Sequence, residues 1–262
     1  MSRRDSMLRE MGIAPLWRDR ASPSPQQAAV EAPPDAQAPA EASRPAAPVR
    51  VEAAPARAVT PMVTPVVTPI VAPSATVSAE GLGWDELEQR IRACQACHLG
   101  ERRTQAVPGV GDREADWLFV GEGPGAEEDA RGEPFVGQAG KLLDAMLASL
   151  GLARGHKVYI ANAVKCRPPG NRTPEADEIA TCHPYLDRQI ELIRPRIIVA
   201  LGRPAAQTLL GGEIKIAAAR GRLFQRKGVP VVVTYHPAYL LRNPQDKARA
   251  WEDLCFARAS VV

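Results

Sequence analysis

A strand–turn–helix rhythm, repeated four times, is what most limits the folds open to this chain. Apolar, β-favouring runs fall at 117–120, 158–164, 196–201 and 229–234. None alternates strictly with polar residues, so each suits a strand covered on both faces. Helical patterns stand around them. Residues 84–93 carry Leu87 and Ile91 at i and i+4. Residues 137–150 place Leu142, Leu143, Met146, Leu147 and Leu150 on one side. The next helix opens at Thr173 as N-cap with Pro174 in its first turn and runs to about 193. Further helices are predicted at 204–210 and about 245–258. Strands alternating with helices predict an α/β fold in three layers, α/β/α, around a central, mainly parallel four-stranded sheet.

The rhythm begins only near Gly83. Thirteen of the 25 prolines precede residue 81, so residues 21–80 cannot propagate helix or sheet. With their Ala, Val and Thr, and a Val-Thr-Pro repeat at 63–65 and 67–69, they read as a disordered, extended linker. Residues 1–20 place Met7, Leu8 and Met11 on one side of a short amphipathic helix. Two readings stay open there: a docking peptide for a protein partner, or a disordered end. The folded domain is therefore expected at 81–262.

No apolar run approaches the roughly 20 residues that span a membrane, and no signal-peptide pattern follows Arg3 and Arg4. A cytoplasmic, monomeric protein is the expectation. The odd number of cysteines, five, argues against a disulfide framework. Cys94-x-x-Cys97, Cys166 and Cys182 offer four thiolates, which suit a structural zinc ion or a [4Fe–4S] cluster. Two single cysteines beside one pair favour the cluster; spacing alone leaves zinc open. Cys255 reads as a core residue. From Ile214 to Gln245 there is no acid, while Lys215, Arg220, Arg222, Arg226, Lys227 and Arg242 are present. Such a basic stretch fits a polyanion.

Ligands of open α/β sheets bind beyond the carboxyl ends of strands. Three predicted strand ends carry Gly121-Glu-Gly-Pro-Gly125, Asn162 and His236-Pro237, and Phe135 follows the first of them. An aromatic face, an amide that donates and accepts, and an imidazole fit a planar heterocycle. Each alone has a plain structural explanation; their joint placement beside a basic stretch favours nucleobase chemistry.

Four motifs carry a resemblance. Gly121-Glu-Gly-Pro-Gly-x-x-Glu-Asp129, Pro134-Phe-Val-Gly137, Asn162-Ala-Val-Lys-Cys-Arg-Pro-Pro169 and Tyr235-His-Pro-Ala-Tyr-Leu-Leu-Arg242 together resemble the family 4 uracil-DNA glycosylases, over about residues 83–258. The resemblance implies an enzyme that flips deoxyuridine out of single- or double-stranded DNA and hydrolyses its N-glycosidic bond. It implies Cys94, Cys97, Cys166 and Cys182 as [4Fe–4S] ligands. Phe135 would stack on uracil, Asn162 read its N3/O4 edge, and His236 stabilise the departing anion at O2. Glu122, Gly121 and Gly123 would position water and sugar, with Glu122 the least certain as general base. Glu128 would crowd the C5 position and reject thymine, and Leu240 or Leu241 would wedge into the emptied stack. A related subgroup that traps its substrate covalently has a histidine-bearing basic loop before the His-Pro motif. Residues 214–229 contain no histidine.

Overall fold

The computed structural model describes residues 77–261. The expectations for residues 1–20, and for nearly all of the 21–80 linker, lie outside the described residues. In chain order the helices are α1 (Trp84–Ala93), α2 (Leu99–Arg102), α3 (Ala126–Arg131), α4 (Gln138–Ser149), α5 (Ala176–Ile193), α6 (Arg203–Leu210), α7 (Ile216–Ala219), α8 (Pro237–Arg242) and α9 (Lys247–Ala259). The strands are β1 (Val110–Gly111), β2 (Trp117–Gly121), β3 (Val158–Asn162), β4 (Ile197–Leu201), β5 (Leu223–Arg226) and β6 (Val229–Thr234).

All six strands form one sheet in the order β1-β3-β2-β4-β6-β5. The four expected strands are its parallel centre. The sheet is wider than the expected four strands, because β1 and β5 add antiparallel edges. These edges are short and only half-buried, so they lack the apolar runs that reveal the central strands.

The two faces of the sheet separate with period two. On one side Trp117, Phe119, Ile160, Val199 and Val232 pack against α4, α8 and α9 through residues such as Leu143, Leu147 and Trp251. On the other, Leu118, Val120, Ile198, Ala200 and Val233 meet α5 and α6 through Leu186, Ile190 and Leu209. A third, smaller cluster joins Leu87 and Ile91 of α1 to Val164 and Tyr185. Among the described residues no helix is long and apolar enough to cross a membrane.

The start of α5 differs from the expectation. Its N-cap is Glu175 rather than Thr173. Glu178 reaches back to the Glu175 backbone N–H at 2.7 Å and is gripped by Arg172 at 2.6 and 2.9 Å. This ion-paired capping box outcompetes a hydroxyl cap two residues earlier.

Candidate active site

β2, β3, β4 and β6 run parallel, so their carboxyl ends share one edge of the sheet. A cleft of about 830 Å³ opens there. Glu122, Gly123, Glu128, Phe135, Asn162 and His236 all line it. Gly121 lies buried between two of them. A Cβ on Gly121 would stand 2.6 Å from the Phe135 ring and would collide with Asn162 Oδ1.

Asn162 is the last residue of β3 and is 2% exposed. Its backbone carbonyl accepts from Lys165 Nζ at 2.9 Å. Its side-chain Oδ1 is buried without a hydrogen-bond partner. An orphaned acceptor costs about 1–3 kcal/mol, which a ligand N–H would recover.

Phe135 has φ +56°, a conformation costing on the order of 1–3 kcal/mol for a bulky residue. Its surroundings enforce it. Glu128 Oε1 accepts from Val136 N at 2.9 Å and Gly137 N at 3.0 Å, and Oε2 accepts from Gly125 N at 3.1 Å. Gly140 of α4 sits against the Phe135 carbonyl, where a Cβ could not fit. Gly140→Ala is therefore expected to lower Tm, although alanine favours helix by about 1 kcal/mol. Overpacking of about 1–3 kcal/mol wins; a Tm equal to or above that of the parent in differential scanning fluorimetry would refute this. The Phe135 and His236 rings face each other, centroids 5.4 Å apart and 30° between planes.

His236 caps α8, its Nδ1 accepting from Ala238 N at 3.1 Å. A backbone N–H can only donate, so the neutral ring carries its proton on Nε2. Burial, aided by Arg242 and opposed by Glu128, holds the imidazolium pKa down to about 4. The ring thus stands as a neutral N–H donor. Gly202, at φ +89°, gives it room: a Cβ there would be 3.0 Å from His236 Cβ.

Glu122 follows β2. Burial raises its pKa, against a hydrogen bond from the Thr173 side chain and the charge of Arg203. Arg172, Arg203 and Arg242 line the same cleft; the first two lay outside the basic stretch picked out in the sequence. Much of that stretch is engaged elsewhere. Arg220 pairs with Asp253 at 2.8 Å, Arg226 with Asp187, and Lys227 with Glu191 at 3.1 Å. The acids that neutralise it come from α5 and α9, far away in sequence.

Leu240, expected among the substrate contacts, is fully buried in the core, whereas Leu241 is 43% exposed. The cause is α8 itself. Helical phase turns Leu240 inward to the sheet and its neighbour out to solvent.

Cys94, Cys97, Cys166 and Cys182 line one further cavity, between α1, the loop after β3, and α5. None is in a disulfide. Arg103 Nη1 donates to Cys166 Sγ at 2.9 Å, and Lys165 N to Cys182 Sγ at 3.2 Å. Burial raises the pKa values of Cys97 and Cys166 and pushes Cys182 up to about 12. Such thiols are poor nucleophiles without a metal to take up the thiolates. Among the described residues no three His, Cys, Asp or Glu side chains converge closely enough to hold a single ion.

A model of the uracil DNA glycosylase superfamily matches residues 108–255. The type-4 uracil-DNA glycosylase of Archaeoglobus fulgidus is 47% identical over 169 residues, covering 62% of this chain and 84% of the relative. That of Thermotoga maritima is 46% identical over 165 residues, covering 62% and 85%. A type-5 uracil-DNA glycosylase of Pyrobaculum aerophilum is 37% identical over 153 residues, covering 52% and 67%.

Proposed function

The chain belongs to the uracil DNA glycosylase superfamily, and from that premise we propose that it excises uracil from DNA by the type-4 pattern, with Asn162, Phe135 and His236 as the base-reading set. The observation that carries this is the buried, unpartnered Oδ1 of Asn162 facing the same cleft as the Phe135 ring and the neutral donor His236. Uracil offers what those groups lack: an N3–H for Oδ1, an O4 for the amide NH₂, an O2 for His236 Nε2–H, and a flat face for Phe135.

In this mechanism a deoxyuridine leaves the stack and enters the cleft, at a cost of a few kcal/mol. The C1′–N1 bond breaks and its electron pair stays on uracil. His236 donates to O2, where the negative charge collects. The sugar becomes oxocarbenium-like. Water adds at C1′ and gives its proton to solvent, the uracil anion takes one up from solvent in turn, and free uracil and an abasic site remain. Glu122 lines the cleft and holds that water; Gly121 and Gly123 admit the sugar. Glu128 stands against C5, its carboxylate fixed by three backbone N–H groups, and disfavours thymine. Arg203 and Arg242 offer contacts to DNA phosphates, while Arg172 is held by Glu178. Leu241, the exposed leucine of α8, takes the wedge role.

One Cys-x-x-Cys pair beside two single cysteines, together with the type-4 relatives, favours a [4Fe–4S] cluster held by these four. They surround a shared cavity, and two N–H donors face their sulfurs, as suits thiolate ligands. A cluster there supplies a cross-link between α1, the loop after β3 and α5.

Uracil release from a U·G oligonucleotide tests the proposal; absence of release from the intact, iron-loaded protein would sink it. Asn162→Asp is expected to lower kcat/KM by about 10³-fold or more. It sets a carboxylate against O4 of a ring that becomes an anion and removes the donor to O4, and sites built on hydrogen bonds penalise such mismatches by about 10⁴. Activity within tenfold of the parent would remove Asn162 from the site.

A further inference from the structure

The loop that carries Phe135 is held from both sides, and we propose that Arg154 is the positioning residue that presents the Phe135 ring to the flipped base. This rests on the reading of Phe135 as the uracil stack. Glu128 takes the N–H groups of Val136 and Gly137. Arg154 takes the carbonyls on the other side: Nη1 donates to Pro134 O at 2.8 Å and Nη2 to Phe135 O at 2.9 Å. Its own placement is fixed, since Nε and Nη2 both reach Asp144 Oδ1 of α4, at 3.1 and 2.9 Å.

Four successive residues, 134–137, thus each have one backbone polar group taken by one of two charged side chains. Phe135 lies between the two grips at φ +56°, and charge-assisted bonds are the kind strong enough to hold such a conformation. Without Arg154, the Pro134 carbonyl loses this partner and the Phe135–Val136 peptide is held only by Glu128, so the strained φ is less firmly enforced and the ring gains freedom to move off His236. Arg154 does not line the cleft, so its effect on the base must pass through Phe135. A lysine there is a point charge and cannot fork to two carbonyls as a guanidinium does.

The test is Arg154→Gln in the full, iron-loaded chain, made in the parent and in Phe135→Ala. It reads kcat/KM, the Ki of free uracil, and Tm. In the parent, kcat/KM should fall by about tenfold or more and uracil Ki should rise by a similar factor, since small misplacements of a binding group cost that much. Arg154→Lys should restore part of both. In Phe135→Ala, Arg154→Gln should add less than about twofold, because coupled residues do not act additively. If Arg154→Gln fails to fold, Asp144→Asn frees the guanidinium while keeping it, and should show a smaller loss that also vanishes in Phe135→Ala. Equal losses in both backgrounds, or a Tm drop with unchanged Ki, would overturn the clamp. A crippled Phe135→Ala beside an indifferent Arg154→Gln overturns the clamp alone; an indifferent Phe135→Ala overturns the stacking reading and the clamp with it.

Discussion

His236→Ala is expected to lower kcat for uracil release by about 10²–10³-fold, the usual loss when one aimed donor is removed from a developing anion. KM should change little, because the charge on O2 is small before the bond breaks. The pH behaviour distinguishes this role from that of a general acid. With Nδ1 committed to Ala238 N and the imidazolium pKa near 4, the donor is the neutral ring throughout neutral pH. The limb of the rate profile due to His236 should therefore lie near pH 4. A limb near the ordinary histidine value of about 6.5 would contradict the assignment. Stability follows the same sign. The folded pKa lies below the unfolded one, so between them the unfolded state binds more protons. The contribution is complete above about pH 6.5 and is lost as pH falls toward 4. Tm measured against pH should show the parent losing stability over that window relative to His236→Ala.

The parallel centre of the sheet was legible because four strands buried on both faces must be apolar throughout, as 117–120 and 197–201 are. What escaped was structure with little apolar content or with distant partners. β1 and β5 are short edge strands. The α8 helix, opened by Pro237, is only six residues long and lies outside the predicted helices, and its phase decides between Leu240 and Leu241. Asn162 and His236 were recognisable as residue types at strand ends, and Phe135 on the loop that follows the first of them. The orphaned Oδ1 and the Nε2 tautomer, on which their proposed chemistry rests, exist only once Gly121, Ala238 and Lys165 are in place. The basic stretch misled for the same reason. Charge adjacent in sequence is neutralised by Asp187, Glu191 and Asp253, which the fold brings in from α5 and α9. Arg154 carried no signal at all, because its partners are backbone carbonyls.

The second large effect is expected at the cysteines. The cluster that packs α1 onto α5 is small, centred on Leu87, Ile91, Val164 and Tyr185, and covers the cysteine cavity. So limited a core would gain much of its stability from the proposed cluster, as metal-dependent small domains do. Cys97→Ala should abolish the visible absorbance and iron content of the purified chain and lower Tm by roughly 10 °C, taking about 3–5 kcal/mol lost at 2–4 °C per kcal/mol. Activity should fall too, by a traceable route. Lys165 lies next to Cys166, gives its backbone N–H to Cys182 Sγ, and gives its buried Nζ to the carbonyl of Asn162 at 2.9 Å and to Gln189 Oε1 at 2.6 Å. Loosening of the cysteine loops therefore reaches the residue proposed to read uracil. One zinc per chain with no visible absorbance would replace the cluster by a zinc site. An unchanged Tm in Cys97→Ala would remove the structural role whichever metal is bound.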